Sequence, residues 1–509
     1  MSNLAAPPPA EREPARERPP AEGIDMSSRT AAPEAMHPKR DGPRDADAKG
    51  VLMISYAFPP AAYVGVHRTL KYCKYLRESG WRPLVITIDP KAVLVQDGRL
   101  ANELPPEIEV FRTRDIDPAK WLVSWSSRAS RKEVTASPEA QEQFPRPDSS
   151  AVTGVLTRIK QFVRKAILES PDSHIFWIPF AFVKGIRVLL TRRVDVIYSS
   201  SPPHSSHLAA WLLSKCFRKP HVADFRDPWF VEGSKRTGPS SGVFTGLQAT
   251  LKRQLLENAA KIVSVSPGER NDLLEELPLL PPSRVEVITN GYDPDDFSDI
   301  PTPAQQDRPF TITHAGTLYP EVGREFFEAI ERLVTTRPDI GRQLRVNLLG
   351  KTAPEYQSVI ERLARLGVVN ALGFQPHRTA LAWTHKSDVL LILLGGNFFL
   401  PSHVPAKTFE YLFLGKPILA VAQPGDLTDI LTKSGLGITV PPHDVAGLAA
   451  TVEGLLTSFR TGRLGVQSDQ AYIRRFERRR LTQTLAGLLD QVLADRRPKY
   501  QGRAPQGAR

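Results

Sequence analysis

Unbroken apolar runs recur along this chain, and a helical pattern follows each of them. The first unit reads VLMISY at residues 51–56, then a Pro and Gly loop, a helix with Leu70, Cys73 and Leu76 on one side, and the run PLVITI. Similar units continue through VDVIYSSS, PHVADF, AAKIVSVS and RVEVITN. Strands of a parallel sheet are buried on both faces and therefore read as continuous apolar runs. We predict an α/β fold with a doubly wound parallel sheet.

A second set of alternating elements follows the polar stretch SDIPTPAQQDR. Its apolar runs are FTITHA, LRVNLLG, VVNALGF, DVLLILL and KPILAVA. This set predicts a second doubly wound, Rossmann-like domain. Open parallel sheets bind ligands at the carboxyl ends of their strands, so two such domains are expected to face one another across a binding cleft.

Changes in composition predict where the domains begin and end. Residues 1–50 are rich in Pro, Ala and charge and are expected to form a disordered arm. The predicted first domain spans residues 51–300 and carries a flexible insertion at about 115–155, and the second spans 301–470. A docking helix is predicted for residues 471–495, and a disordered tail for 496–509.

Charge and cysteine content exclude several classes of protein. The chain has 509 residues, a net charge of +12 and only two cysteines, so anionic partners are favoured, whereas a disulfide framework or a Cys-rich metal site is not. The basic residues form no stripe interleaved with aromatic residues, so no nucleic-acid partner is expected. Residues 1–50 do not read as a secretory signal, and the longest apolar run is too short to span a bilayer. We expect a cytoplasmic protein that is soluble or peripheral to the membrane.

One segment is compatible with a membrane surface. Residues 155–168, VLTRIKQFVRKAIL, place apolar side chains on one helical face and four basic side chains on the other. Such a helix can lie on an anionic membrane, and the nearby Trp121 and Trp125 are compatible with this. Alternatively, its apolar face packs on the adjoining domain and its charges are solvated.

The segment VPAKTFEYLFLGKPILA, residues 404–420, has the pattern of a nucleotide-binding helix. Pro405 suits a first helical turn and Gly415 suits the left-handed position after the last turn, which places Glu410 within the helix. Unpaired N–H groups at a helix start attract phosphate, and an acid one turn later can accept hydrogen bonds from ribose hydroxyls. A sugar nucleotide satisfies both groups. Alternatively, Lys407 and Glu410 form a solvent-facing ion pair.

Taken together, several stretches resemble the family-4 retaining glycosyltransferases of GT-B architecture. These are ISYAFPPAAYVGVHR, ADFRDPW, AGTLYPEVGR and the 404–420 segment, with VITNGYDPDDF between the domains. The resemblance covers about residues 51–495 and is closest to bacterial enzymes that build cell-surface polysaccharides or glycolipids. It implies transfer of a hexosyl group from a nucleotide-sugar donor to an acceptor hydroxyl, with retention at the anomeric carbon and without a cofactor or metal ion.

The resemblance also implies a set of donor-binding residues. Glu410 matches the acid that holds the donor ribose, and Lys407 lies where a cation can approach the phosphates. Gly316 and Thr317 match the backbone segment beside the diphosphate. The donor-binding residues expected in this chain are Glu410, Lys407, Thr408, Gly316, Thr317 and Arg324.

The first domain is expected to supply the reaction centre and the acceptor site. Gly65 and Arg68 match the glycine loop that closes over the reaction centre, although an ordinary tight turn explains Gly65 as well. Arg226 and Asp227 follow a strand and are candidate catalytic residues, or else a buried pair that fixes the loop.

Two histidines in the motif SPPHSSH are candidates for contact with the acceptor, which is expected to be a lipid-linked carrier or a glycan. These are His204 and His207, and the alternative is that both are hydrogen-bonded loop histidines. In three places the chain departs from the pattern of the family. Ser402 stands where many members have a first Glu, and Thr317 and Gly323 stand where many have Arg and Lys. A degenerate, membrane-associated scaffold therefore stays open as an alternative function. A sugar-nucleotide epimerase stays open as well, because it too can be built on paired Rossmann domains.

Overall fold

The structure is a computed structural model that describes residues 48–63, 65–93, 95–115, 172, 174–229, 243–300, 308–394 and 400–495. All of these residues belong to one compact unit, residues 42–509. Several sequence predictions fall outside the described residues. They are the arm up to residue 47, almost all of the insertion, the amphipathic segment 155–168 with Trp121 and Trp125, and the tail.

The first sheet has seven parallel strands in the order β3-β2-β1-β4-β5-β6-β7. Its strands are β1 (Lys49–Ser55), β2 (Trp81–Ile88), β3 (Glu109–Thr113), β4 (Val196–Ser201), β5 (His221–Phe225), β6 (Lys261–Ser264) and β7 (Val285–Val287). Strand β1 lies at the centre, where Met53 pairs with Val85 on one side and Tyr198 on the other. We call this sheet and the helices packed on it the N-terminal lobe.

The second sheet has six parallel strands in the order β10-β9-β8-β11-β12-β13. Its strands are β8 (Phe310–Ala315), β9 (Leu344–Leu349), β10 (Val369–Gly373), β11 (Val389–Leu394), β12 (Ile418–Ala422) and β13 (Gly437–Val440). This sheet and its helices form the C-terminal lobe. The predicted α/β fold with two doubly wound, Rossmann-like sheets is confirmed.

Helices cover both faces of each sheet. Those of the N-terminal lobe are Val66–Leu76, Gly98–Asn102, Ile178–Thr191, Ser205–Phe217, Val243–Asn258 and Pro267–Glu276. Those that follow β8 are Arg324–Thr336, Pro338–Gln343, Gln357–Arg365, His377–Lys386, Lys407–Leu414, Asp426–Ser434, Val445–Arg460, Gln470–Ile473 and Arg478–Ala494. Among the described helices, none is long and apolar enough to cross a membrane.

The last helix completes the core of the first lobe. Leu481, Leu485 and Leu489 of helix Arg478–Ala494 pack in the same buried cluster as Val51 and Val85 of the first sheet. Because these strands are apolar on both faces, each face must be covered by a helix layer to exclude water. One of those layers therefore comes from the far end of the chain.

The two connections between the lobes are paired with each other. The Tyr292 N–H donates to the Phe476 carbonyl at 3.0 Å, and the Arg478 N–H donates to the Tyr292 carbonyl at 2.8 Å. A Cβ at Gly291 would lie 2.2 Å from the Phe476 oxygen, so this approach requires glycine. We call this backbone pairing the hinge. It interrupts the predicted docking helix, because Glu477 is extended and two helices stand where one was expected.

Candidate active site

Three neighbouring strands of the second sheet end at glycines with positive φ. Gly316 follows β8 with φ +138°, Gly350 follows β9 with φ +124°, and Gly373 ends β10 with φ +65°. The Gly316 N–H donates to the Leu349 carbonyl, and the Gly350 N–H donates to the Gly373 carbonyl, each at 2.7 Å. These hydrogen bonds join the three turns side by side at one edge of the sheet, and each turn has a glycine, which carries no side chain. A ligand can therefore approach the backbone closely here.

The helix Lys407–Leu414 starts at the same edge of the sheet. It ends at Gly415 in the left-handed conformation, as predicted, but it starts two residues after Pro405. Phe409 and Leu412 are buried in the lobe core, and the Tyr411 hydroxyl accepts the Ala315 N–H at 3.1 Å. The first turn of the helix is thereby fixed beside the end of β8.

Lys407 extends from this helix start to the glycine turn. Its Nζ lies 3.1 Å from the place a Cβ would occupy on Gly316, and 3.3 and 3.4 Å from the two ring nitrogens of His314. Among the described residues it forms no ion pair. Burial lowers the pKa of Lys407 to about 7, although the nearby Glu410 carboxylate opposes this shift. The site thus holds an amine that no described carboxylate contacts directly.

Glu410 lies one turn further along and is partly exposed. Its Oε1 accepts a hydrogen bond of 2.8 Å from Nε2 of His377, the first residue of the helix after β10. Burial lowers the pKa of His377, but the Glu410 charge and hydrogen bond outweigh this and raise it overall. The ring of His377 also lies 4.4 Å from the ring of His67, which belongs to the other lobe.

The remaining predicted donor residues differ in their placement. The Thr317 N–H has no acceptor among the described residues and lies in the glycine turn. The Thr408 hydroxyl is buried and has no hydrogen-bond partner in the part of the chain that the structure describes. By contrast, Arg324 is exposed at the start of helix Arg324–Thr336 and makes no hydrogen bond or ion pair with the described residues. The structure does not place it against Lys407.

Gly65 and Arg226 contact one another in the first lobe. A Cβ on Gly65 would lie 2.8 Å from the guanidinium carbon of Arg226, so the absence of a side chain leaves room for that group. The Arg226 guanidinium in turn pairs with Asp227 at 3.0 Å, and Asp227 is about half exposed. The predicted residues Gly65, Arg226 and Asp227 therefore form one cluster.

His403 connects this cluster with the lysine of the other lobe. Burial lowers the pKa of His403, the Asp227 charge raises it and the Lys407 charge lowers it, which places the imidazole within range of both. Glu269 also lies near Asp227, and burial raises its pKa to about 8 with a further rise from the Asp227 charge. The carboxyl ends of the two sheets thus meet around opposite charges.

Arg68, in contrast, lies below the surface of the site. It is 1% exposed, and its Nε and Nη2 bind the two oxygens of Asp224 at 2.7 and 2.9 Å. Two further bonds reach the carbonyls of Thr289 and Ile288. This arrangement favours a structural role for Arg68 beneath the reaction centre.

The two candidate acceptor histidines differ in how deeply their side chains are buried. His204 is half-buried, and its ring stacks on Trp229 with the centroids 4.9 Å apart. His207 is fully buried, and its Nδ1 lies 2.7 Å from the Ser199 hydroxyl. Burial lowers the pKa of both rings, to about 4 for His204. Contact with an acceptor is compatible with the placement of His204 but not with that of His207.

Ser402 takes part in a contact between the lobes. Its carbonyl accepts the Ser266 hydroxyl at 2.8 Å, and its own hydroxyl donates to Asp272 at 3.0 Å. Beside it, the Gly268 N–H donates to Asp426 at 2.7 Å. A Cβ on Gly268 would lie only 2.6 Å from Cβ of Ser402, so this close approach requires glycine at position 268.

Sequence reasoning missed His314, His377 and the glycine turn at Gly350. Nothing in the local sequence pattern indicates either histidine, because each contacts a residue that is distant in sequence. Gly350, however, ends a strand in the same way as Gly316, and this signal was available. No cluster of three or more His, Cys, Asp or Glu is arranged to hold a metal ion in the described part of the chain.

Comparison with known protein families gives two adjacent matches. Residues 64–291 match the Glycosyl transferase 4-like domain, and residues 309–458 match Glycosyl transferases group 1. A comparison with curated proteins finds no match.

Solved structures share the architecture at low identity. Anabaena HepE in complex with UDP and glucose is 16% identical with a TM-score of 0.53, over 87% of this chain and 100% of that chain. A Rickettsia africae glycosyltransferase is 15% identical with a TM-score of 0.54, over 88% and 99%. An E. coli trehalose-6-phosphate protein bound with UDP-2-fluoro glucose is 14% identical with a TM-score of 0.54, over 87% and 99%. At such identities the likeness shows the fold alone.

Proposed function

Because the chain belongs to the glycosyltransferases that combine a 4-like domain with a group 1 domain in the GT-B arrangement, we propose the donor and the acceptor between which it transfers a sugar. In this proposal it transfers a hexosyl group from a nucleotide-sugar donor to an acceptor hydroxyl, during synthesis of a cell-surface polysaccharide or glycolipid. HepE is complexed with UDP and glucose, and the E. coli protein with UDP-2-fluoro glucose, which supports a nucleotide-sugar donor here.

The observation that carries the proposal is the position of Lys407 against the turn at Gly316. A half-buried amine lies beside a turn without a side chain, and it has no carboxylate in ion-pair contact among the described residues. The Thr317 N–H and the start of helix Lys407–Leu414 add positive potential. A diphosphate supplies the missing anion, and Glu410 is placed one turn on, within reach of the attached ribose.

In the proposed reaction the protein acts mainly on the leaving group. Breaking the anomeric C–O bond builds positive charge on the sugar and negative charge on the diphosphate. Lys407 and the N–H groups at the glycine turn stabilise that negative charge, which lowers the barrier. The acceptor oxygen attacks on the face that the diphosphate leaves, and a phosphate oxygen takes the acceptor proton. Retention and independence of metal ions are parts of this proposal that rest on the family resemblance.

A donor panel tests the proposed function. UDP-glucose, UDP-galactose, UDP-N-acetylglucosamine and GDP-mannose are each incubated with the protein and a membrane extract as acceptor source, with and without EDTA. Released nucleotide together with a glycosylated product of retained anomeric configuration supports the proposal. An isomerised donor would indicate an epimerase instead.

The scaffold alternative is favoured by one observation. Ser402, which replaces an acid found in many members, is occupied by the contact with Ser266 and Asp272. A degenerate relative would bind no donor. If none of the four sugar nucleotides raises the melting temperature of the protein, the scaffold alternative replaces the transferase.

A peripheral membrane location is also part of the proposal. Val183 and Leu190 lie two turns apart on helix Ile178–Thr191, exposed by 66% and 72%, and Arg187 lies between them. Apolar side chains flanked by cations suit an anionic lipid surface. The double variant Val183→Ser with Leu190→Ser should reduce flotation with phosphatidylglycerol vesicles. Leu279→Ser, at a leucine exposed by 81%, is the matched control.

A further inference from the structure

His314 is a buried histidine at the end of β8 whose ring contacts the amine of Lys407. It is 2% exposed, and its Nδ1 lies 3.2 Å from the Leu391 carbonyl oxygen. A carbonyl only accepts hydrogen bonds, so the Nδ1–H group donates to it, and the backbone of Thr317 also lies within hydrogen-bonding range of the ring. These contacts fix the orientation of the ring.

The amine of Lys407 lies almost equally far from both ring nitrogens, at 3.3 and 3.4 Å. It therefore rests against the ring instead of lying in line with one nitrogen. An ammonium in this position gains from the electron-rich face of the ring, provided that the imidazole is neutral. A protonated imidazole would repel it.

We propose that His314 is a positioning residue for the donor, whose neutral ring holds the Lys407 ammonium against the glycine turn where the diphosphate binds. The inference rests on the proposed function, because it concerns the same donor site. It adds a specific role for a side chain that does not itself touch the substrate.

The charges around the pair agree with this assignment. Burial lowers the pKa of His314 well below its usual value, and the Lys407 charge lowers it further. Together they outweigh the backbone hydrogen bonds with Leu391 and Thr317, which raise the pKa, so the ring is neutral. Lys407 is faced by Glu410 on its own helix, by His314 on β8 and by His403 in the preceding loop. Its pKa of about 7 must rise when a diphosphate binds, because an opposite charge favours the ammonium. Donor binding is therefore expected to take up protons above about pH 7.

The test is the pH dependence of UDP-glucose affinity, measured by calorimetry from about pH 6 to about pH 9. UDP-glucose has no phosphate that titrates in this range, so the profile reports the protein. Wild-type affinity should fall above about pH 7. In His314→Leu, which removes the ring, the midpoint should move down by about one pH unit, and affinity at about pH 8 should fall roughly tenfold. In His314→Gln, whose amide oxygen can accept from the ammonium, the midpoint should stay near that of the wild type.

The controls separate this role from a merely structural one. His443→Gln, at an exposed histidine of the same lobe, should leave the profile unchanged. Lys407→Arg should remove the pH dependence in this range. A His314→Leu protein that binds more weakly at every pH without a shifted midpoint would overturn the inference and leave the proposed function intact.

A second measurement on the wild type does not depend on the folding of a variant. Calorimetry of UDP-glucose binding at about pH 8 in buffers of different ionisation enthalpy reports the protons taken up. Uptake that disappears in Lys407→Arg supports the inference, and no uptake by the wild type contradicts it. A wild-type protein that binds no sugar nucleotide would overturn the proposed function, and this inference with it.

Discussion

The ring of His67 in the N-terminal lobe lies 4.4 Å from the ring of His377 in the C-terminal lobe. Burial lowers the pKa of His67, and the charge of His377 lowers it further, whereas Glu410 raises the pKa of His377. The two pKa values are therefore shifted apart, so His377 keeps its proton to a higher pH than His67 does. Since His377 also binds Glu410, the proposed ribose site and the contact between the lobes share a residue. A movement of one lobe against the other should therefore change the hydrogen bond to the Glu410 carboxylate.

Replacing Glu410 by Ala should weaken binding of the active donor about tenfold to a hundredfold, because hydrogen bonds to a charged group are lost. Calorimetry with that donor measures the effect. Glu328→Ala, at an exposed acid of the same lobe, is the control. Unchanged affinity in the Glu410 variant would remove this residue from the donor site.

The His377 to Glu410 pair should make folding stability depend on pH. The folded-state pKa of His377 is raised, so its stabilisation is complete below the unfolded value of about 6.5 and is lost as pH rises through the folded value. The contribution should not exceed about 1 kcal/mol, since both groups are partly exposed. Urea unfolding at a series of pH values, compared between wild type and His377→Gln, measures it. Parallel curves for the two proteins would contradict the assignment.

Gly65→Ala should displace Arg226 with little loss of stability. Its φ of −66° suits alanine, but the new Cβ would meet the guanidinium, which can move. Turnover should fall about tenfold to a hundredfold if the Arg226 and Asp227 pair acts at the reaction centre. Gly98→Ala, which meets no atom within 4 Å, is the matched control. Equal turnover in both variants would show that Gly65 is an ordinary turn residue.

Arg68→Met should unfold far more easily than the wild type. The substitution leaves Asp224 buried without its cation, which costs about 3 to 5 kcal/mol. Chemical denaturation measures the change. Arg253→Met, at an exposed ion pair, should have little effect. A stable Arg68 variant with lost turnover would return Arg68 to the reaction centre.

Gly350→Ala should lower the free energy of unfolding by about 2 to 4 kcal/mol, because the residue needs positive φ and its Cβ would lie 2.3 Å from the Gly316 oxygen. The turn at Gly316 should move as well, so donor affinity should fall in the folded fraction. Gly454→Ala, in an open helical position, should instead raise stability by about 0.5 to 1 kcal/mol. The same thermal unfolding series reports both.

The sheets could be predicted from sequence because strands such as VLMISY and DVLLILL must be apolar on both faces, and this leaves an unmistakable pattern. The helix within residues 404–420 could likewise be predicted, from Pro405, Gly415 and the acid between them. The partners of its side chains could not be predicted. Tertiary packing brings Lys407 to His314 and Glu410 to His377, and the local spacing of residues does not indicate these contacts. The break in the predicted docking helix at Glu477 could not be predicted for the same reason, since its extended backbone is stabilised by pairing with Tyr292.

The position of helix Arg478–Ala494 bears on how the protein is made. Its leucines close the apolar cluster beside Val51 and Val85, yet they are translated more than 360 residues after β3 ends at Thr113. During synthesis this cluster of the first sheet therefore lacks part of its cover until helix Arg478–Ala494 has been translated. A nascent or truncated product would expose this surface to chaperones and proteases, and the two lobes would not separate into halves that each fold alone.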